Sequence, residues 1–535
     1  MNINSGLDFF PLEKIRDNQE VIIRTVEEEF KTKDIVILEA PVGSGKSAIA
    51  IAFARLAGEN KAHILTPRKA RQDQYFSAFG EYLVLMKGRG SYPCTYNYTP
   101  SDYSKLIKII KTGSISSPGK DVQSCAGAVC ESNDKIYKRC TISRPCPYNV
   151  AMELAQMNNI VVHNLSSFIY QSYYGEKFDT RELMIVDEAH EIESTIRDFI
   201  TREFYFNRTI GAGELPKSKE IKDWISFLLC QEFIPEETSK ERLKKESNPD
   251  YLSVRDKYFL KVNGLKVFEN ENNKFSIEYS DSDIGRGSVL KIIPHNIGGA
   301  ANSILFSYGK KLLLMSGTIY SKDLFCRYLG LDKSKVSFIR VDSNFPIYNR
   351  PIYILPKYQV NTSHLEWNNN FPELIDRINK VLEIFKDARG LIHSPSYNIS
   401  TQLFNALNNR RCKIHTSEDF LISLSDFYEG PSDGVFISPI CQQGVDFKDD
   451  RARFQIIVRV PYLNVTSKFI RDKLETDPPW YNYQSLIIFG QQIGRINRSK
   501  EDFGATFLLD SRFNKFISRN RSILPSWLTE ALVYK

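Results

Sequence analysis

The sequence predicts an α/β protein with two parallel-sheet domains, a cysteine-rich insert and a second small insert. Three observations carry this. In "DIVILEAPVGSGKSAIAIAFARLA" an apolar β-branched run, Ile35 to Leu38, leads through a glycine-containing turn into an alanine-rich helix. That is the strand–loop–helix unit of a parallel sheet. In the C-terminal half, "ARGLIHSPSY" and "GVFISPICQQGVDF" read as strands with polar ends, separated by helical stretches such as "FPELIDRINKVLEIFKD". This pattern indicates a second domain of the same kind. The length, 535 residues with 42% hydrophobic and 25% charged, suits two or more folded domains rather than one core or a disordered chain.

Composition excludes some classes and leaves others open. No apolar run approaches the length of a membrane span. The opening "MNINSGLDFFPLEK" lacks the basic and apolar regions of a secretory leader, so a reducing compartment is expected. That compartment is the cytoplasm for a bacterial or viral protein and the nucleus for a eukaryotic one. Disulfides are rare there, so clustered cysteines lean towards metal or redox work. The formal charge of +7 permits nucleic-acid binding without demanding it.

The first turn carries the strongest local signal. "APVGSGKS" is a P-loop with Ala40 in place of its usual first glycine. Gly43, Ser44 and Gly45 let backbone N–H groups approach phosphates at the helix N-terminus, where the dipole favours anions. Lys46 is expected to reach the β- and γ-phosphates of ATP, and Ser47 to ligate Mg²⁺. A second carboxylate site is supplied by "RELMIVDEAHEIES", an apolar strand ending in Asp187-Glu188-Ala189-His190. Asp187 suits the Mg²⁺ shell, and Glu188 suits the activation of a water. His190 beside two acids is a poor zinc constellation and reads as a coupling residue.

The second domain offers cations. Gln491, Gly494, Arg495 and Arg498 form Q-x-x-G-R-x-x-R, a spacing that places the arginines on one face of a helix. Arginines from a second domain are a usual device for stabilising a transferring γ-phosphate. Gly444 and Asp446 form a G-x-D at another strand tip, and "HSPSY", His393 to Tyr397, ends a third.

These blocks, in this order, resemble superfamily 2 helicases of the XPD/DinG type over nearly the whole chain. Arg16 and Gln19 in "FFPLEKIRDNQ" match the adenine-reading element, and "ILTPRKARQDQ" matches motif Ia. Lys46 and Ser47 lie in motif I, and "VDEAH" is motif II, a DEAH box. "LLLMSGTI", with Ser316, Gly317 and Thr318, is motif III. "GLIHSPSY", "SPICQQGVDF" and "QQIGRINRS" match motifs IV, V and VI. The resemblance implies two RecA-like motor domains closing on ATP–Mg²⁺, with Lys46, Asp187, Glu188, Gln491, Arg495 and Arg498 catalytic. It also implies translocation on single-stranded DNA, 5′-to-3′, and unwinding at duplex junctions by a monomer. Recruitment by other DNA-processing proteins is compatible with it, and repair, replication, recombination and viral genome processing all fit. A translocase that remodels nucleoprotein without processive unwinding is the alternative, and a scaffold with a degenerate ATPase is a third reading.

The resemblance also bears on the cysteines. Cys94 ends "KGRGSYPC", Cys125, Cys130 and Cys140 follow, and Cys146 begins "CPYNVAMELAQM". The family carries a four-iron, four-sulfur cluster in an insert here, which implies Cys94, Cys130, Cys140 and Cys146 as ligands. Cys125 can replace Cys130, and a structural zinc site is the rival. The implied organisation is a first motor domain over 1–93, 147–199 and 291–324, a cluster insert over 94–146, a reduced arch-like insert over 200–290 and a second motor domain over 325–535. Arg68 and Lys69 are candidate phosphate contacts for a bound strand, or simply a solvated helix start. Tyr92, Tyr96 and Tyr98 are candidates for base stacking, or for core packing.

Overall fold

The computed structural model describes residues 5–94, 100–111, 146–173, 178–206, 210–211, 213–231, 258–259, 261–265, 274–281, 287–441, 447, 449–497 and 499–534. These residues form two seven-stranded parallel sheets and one three-stranded antiparallel sheet. The first sheet runs, edge to edge, Val336–Arg340, Ile35–Glu39, Gly309–Ser316, Arg181–Asp187, Ala62–Thr66, Ile160–Asn164 and Val84–Met86. All five residues of Ile35–Glu39 are buried, as a parallel strand covered on both faces requires. Ile35 and Ile37 enter one apolar cluster while Val36 and Leu38 enter another, so the pleat divides the core into two layers.

Sheet order matters more than chain order here. The strand Gly309–Ser316 arrives after both inserts yet lies between Ile35–Glu39 and Arg181–Asp187. Because all these strands are parallel, the loop after Glu39, the Asp187 tip and the Ser316 tip crowd one carboxyl edge, the usual ligand edge of such sheets.

The second sheet runs Cys412–Lys413, Val435–Ser438, Gly390–His393, Phe454–Ile457, Ala505–Leu508, Ile352–Tyr353 and Leu532–Val533. Gly390 admits the Phe454 ring, since a Cβ there would lie 2.1 Å from it. The long helices of this lobe are Trp367–Ile384 and Pro478–Ile493.

The charged stretch from about residue 200 is not wholly irregular. Arg202–Phe206, Ser288–Pro294 and Phe275–Asp281 pair in that order as an antiparallel sheet. It shares a core of Phe204, Trp224, Leu228, Leu290 and Ile292 with the helix Ile221–Leu229. Its sheet reaches Pro294, past residue 290, before the chain rejoins the first lobe. The unit also touches the second lobe: Glu278 Oε1 accepts from Ser467 Oγ (2.5 Å) and from the Phe469 N–H (3.0 Å). No helix among the described residues is long and apolar enough to cross a membrane.

Candidate nucleotide site

The loop after Glu39 turns tightly into the next helix for a reason visible in its glycines. Gly43 (φ 82°) and Gly45 (φ 80°) both take the left-handed conformation, which costs other residues steric strain. A Cβ on Gly45 would also lie 2.0 Å from Gln19 Nε2. Gln19 is buried there, its Oε1 accepting from the Arg16 N–H (3.0 Å), while Arg16 Nη1 donates to the Gly43 carbonyl (3.0 Å). The Arg16–Gln19 element therefore packs directly on the loop. Lys46 opens the helix Lys46–Leu56 and donates to the carbonyls of Ala40 (2.7 Å) and Pro41 (3.2 Å). Ser44 Oγ donates to the Pro41 carbonyl (2.7 Å), which stiffens the turn.

Two carboxylates face this loop. Asp187 is fully buried, its Oδ1 accepting from the Glu188 N–H (3.1 Å) and its Oδ2 from the Tyr75 hydroxyl (3.2 Å). Glu188 sits at φ 57°, a left-handed non-glycine residue at a strand tip, where such strain clusters with function. Arg71 bridges the pair: Nη2 donates to Glu188 Oε1 (2.8 Å) and Nε lies 3.4 Å from Asp187 Oδ2. Burial pushes the Asp187 carboxyl up, partly offset by Arg71. Burial also acts upward on Glu188, but Arg71, His190 and Lys46 outweigh it and hold that carboxyl at about 2. Asp187 beside it raises the Arg71 guanidinium in turn.

In this segment Arg71 and Tyr75 reach the acids, not the Arg68 and Lys69 pair expected to contact a strand. The signal was there: Arg71 and Tyr75 are four apart and share a face of the helix Lys69–Phe79. Arg68 instead pairs with Glu191 (2.9 Å) at the cavity wall, and Lys69 is exposed.

A chain of hydrogen bonds crosses between the lobes. His190 Nδ1 and Ser316 Oγ share one (2.8 Å), and Ser316 Oγ accepts from the Thr318 N–H (3.1 Å). Gln491 Nε2 donates to Thr318 Oγ1 (2.9 Å), and Arg495 donates to Gln491 Oε1 (3.0 Å) and to its carbonyl (3.0 Å). One predicted detail is corrected. The helix Pro478–Ile493 ends at Gly494, so Arg495 projects from the turn beyond it rather than from a helical face. The following Asn497 sits at φ 65°, which no continuing helix allows. Arg498, Gly444 and Asp446 lie outside the described residues.

Arg16, Gly43, Gly45, Lys46, Ser47, Glu188, Gln491 and Arg495 thus line one cavity of about 540 Å³ between the lobes. Two buried carboxylates brace it from behind. Glu39 accepts from the N–H groups of Ile319 (2.9 Å) and Tyr320 (2.7 Å) and pairs with Arg340, fixing the Ser316–Thr318 turn. Glu193, one turn past the acids, pairs with Arg197 and accepts from Trp480 Nε1 (2.7 Å) and Gln484 Nε2 (2.5 Å) on the second lobe.

At the root of the cysteine-rich insert the Tyr92 and Tyr148 rings meet edge to face at 5.8 Å. Cys94 and Cys146, each two residues further into the insert, are half-buried. Tyr92 is buried and packs in the core, whereas Tyr96 and Tyr98 lie outside the described residues. So do Cys125, Cys130 and Cys140. Among the described residues no cluster of three or more His, Cys, Asp or Glu is placed to hold a metal ion.

Comparison with known proteins gives a consistent picture. A helicase C-terminal domain model matches residues 378–531, and a model of the type III restriction enzyme res subunit matches residues 12–212. The ATP-dependent DNA helicase XPD of Sulfolobus acidocaldarius is 22% identical over 575 aligned positions, covering 94% of this chain and 96% of that protein. The general transcription and DNA repair factor IIH helicase subunit XPD of Dictyostelium discoideum is 26% identical over 144 residues. That match covers 24% of this chain but only 18% of the Dictyostelium protein. Among solved structures, an XPD helicase superposes with a TM-score of 0.61 at 18% identity, covering 98% of this chain and all of that one. S. tokodaii Xpd4 superposes with a TM-score of 0.55 at 13% identity, covering 97% of this chain. The two parallel-sheet domains are RecA-like and share their arrangement with these structures.

Proposed function

We infer that this chain is an XPD-like helicase, a two-lobed motor that spends ATP hydrolysis on translocating along single-stranded DNA and opening duplex. The observation that carries this reading is the continuous contact path from Arg495 and Gln491 through Thr318 and Ser316 to His190, beside Asp187 and Glu188. Groups from both lobes meet over one phosphate cradle, so a bound triphosphate is felt by both.

The roles follow from the chemistry of each group. Backbone N–H groups of Gly43 to Ser47 receive phosphate oxygens at a helix N-terminus. Lys46 exchanges its loop carbonyls for the β- and γ-phosphates. Asp187 and Ser47 are the groups to hold magnesium; a buried carboxylate and a hydroxyl are hard oxygen donors that suit it. Magnesium, when bound, neutralises phosphate charge. Glu188 stays ionised across the neutral range and is the base for the attacking water. Arg495, with Arg498, supplies positive charge where the γ-phosphate leaves. Arg16 and Gln19 read the base. Lobe closure on ATP and release after hydrolysis form the two-state element that steps the strand.

The reading extends to a four-iron, four-sulfur cluster on Cys94, Cys130, Cys140 and Cys146, with Cys125 in reserve and zinc as the rival. Its support is that the Tyr92–Tyr148 contact draws together the two ends of the insert, each two residues from Cys94 or Cys146. Four thiolates are the expected set for such a cluster, which would rigidify a wedge at the duplex junction. Metal analysis of anaerobically purified protein tests it: roughly four irons and four sulfides per chain are expected. One zinc and no iron would remove the cluster. Cys146→Ser is expected to damage unwinding more than ATP binding. The 5′-to-3′ polarity, the monomeric state, recruitment by other DNA-processing proteins and the arch-like role of residues 200–290 belong to the same proposal.

Lys46→Ala tests the ATPase. DNA-stimulated hydrolysis should fall at least ~100-fold, the scale of removing a principal transition-state charge, while DNA binding persists. Unchanged turnover would remove the P-loop assignment.

A further inference from the structure

The cavity between the lobes has two ends, and the sheet order tells them apart. Asp187 and Ser316 end strands on one side of Ile35–Glu39, whereas Val336–Arg340 flanks it on the other. The carboxylates therefore mark the phosphate end. The cavity is also lined by Arg16 and by Trp527, in a segment near the C-terminus.

That segment is hung from the interlobe linker. Arg340, at the tip of the flanking strand, donates to the Ile523 carbonyl (3.3 Å), and Arg350 donates to the Trp527 carbonyl. Trp527 packs against the second lobe's core and also lines the cavity. An aromatic ring fixed at the backbone and lining a nucleotide cleft suits stacking against a flat heterocycle.

We propose that Trp527 is the second-lobe wall of the nucleobase pocket, facing a purine held from the first lobe by Arg16. This deepens the ATPase reading and rests on it. Trp527 makes base binding depend on lobe closure: the first lobe alone offers the phosphate cradle, and the base is enclosed only when the second lobe is seated. Specificity for a nucleotide over an inorganic polyphosphate then arises largely at Trp527.

The test is calorimetric titration of wild type, Trp527→Ala and Trp527→Phe with magnesium ADP and with magnesium pyrophosphate. The two ligands share a phosphate chain and differ in the nucleoside. Trp527→Ala should weaken ADP roughly tenfold, as expected for one lost aromatic stack on a base, and leave pyrophosphate binding unchanged. Trp527→Phe should restore most of the ADP affinity, because stacking survives without the N–H. An alanine variant that binds ADP like wild type, or that loses both ligands alike, overturns the proposal. Wild type binding neither ligand would overturn the nucleotide site itself, a separate failure.

Discussion

Arg71 is the residue on which the two acids depend. It alone among the described side chains forms ion pairs with both Asp187 and Glu188, so its loss leaves the buried Asp187 carboxylate without its ion pair beside a half-buried Glu188. Arg71→Ala should lower the maximal ATPase rate about 10- to 100-fold, the range for removing one preorganised electrostatic partner. It should also shift the magnesium concentration giving half-maximal rate, which a merely destabilised variant would not do. Arg71→Lys should recover only part, since an ammonium cannot span both carboxylates as a guanidinium does. ATPase measured across a magnesium series checks this; identical curves for Arg71→Ala and wild type would contradict it. At this scale the placement of residues was legible wherever it follows from spacing: Lys46 and Ser47 open the helix after a strand and glycine turn, and Asp187 and Glu188 stand at the end of another strand. Arg71 and Trp527 were not, because their partners are supplied by the sheet order and by the second lobe. Arg68 drew attention through its charge and sits one step from the residue that matters.

Strands and helices fix the site's geometry, and one strand pair stores an acid sensitivity. Ala62–Thr66 and Ile160–Asn164 are interior neighbours, and they bury His63 against His163, with Nδ1 and Nε2 at 3.2 Å. Burial drives the His63 imidazole down to about 3, with Arg181 adding to the effect, and burial together with His63 drives His163 well below its usual value. Both are neutral in the folded state, whereas an unfolded histidine takes up a proton below about pH 6.5. Their stabilising contribution is therefore complete above that pH and is lost as pH falls towards the folded values. By about pH 5 the depression of His63 amounts to a loss of about 2 kcal/mol. Urea midpoints should drop steeply between neutral pH and that point, and His163→Asn should flatten the drop. A parallel decline in both proteins would show that the pair does not titrate as argued. The strands Ile35–Glu39 and Arg181–Asp187 were readable because continuous apolar runs between turns have few alternatives. The antiparallel unit around Phe204 and Leu290 was not: its strands alternate with charge and are far apart in sequence. The end of the helix at Gly494 also escaped a pattern that looked helical through Arg495.

The whole molecule is two similar α/β lobes joined by a short linker and several sets of contacts, among them Tyr483 Oη donating to the Ile319 carbonyl (2.8 Å) and Tyr328 Oη to Asp477 (3.3 Å). One set runs through the cavity, from His190 to Arg495. Another is a clasp in which Glu193 and Arg197 of the first lobe engage Trp480 and Gln484 of the second, with Arg197 Cζ 4.8 Å from the Phe469 ring centroid. The helices Ile192–Ile200 and Pro478–Ile493 are thus tied beside the cavity, whose wall includes Gln484. The two-domain plan was legible from motif order alone. The fit between lobes was not, because a lobe interface has no sequence period. In the proposed function, closure on ATP does mechanical work on DNA. Its most direct test is strand displacement from a duplex with a 5′ single-stranded tail, run beside ATP turnover, with wild type and Lys46→Ala. The account predicts ATP-dependent release of the strand by wild type and none by the variant. DNA-stimulated turnover without displacement would contradict it and leave a translocase in its place.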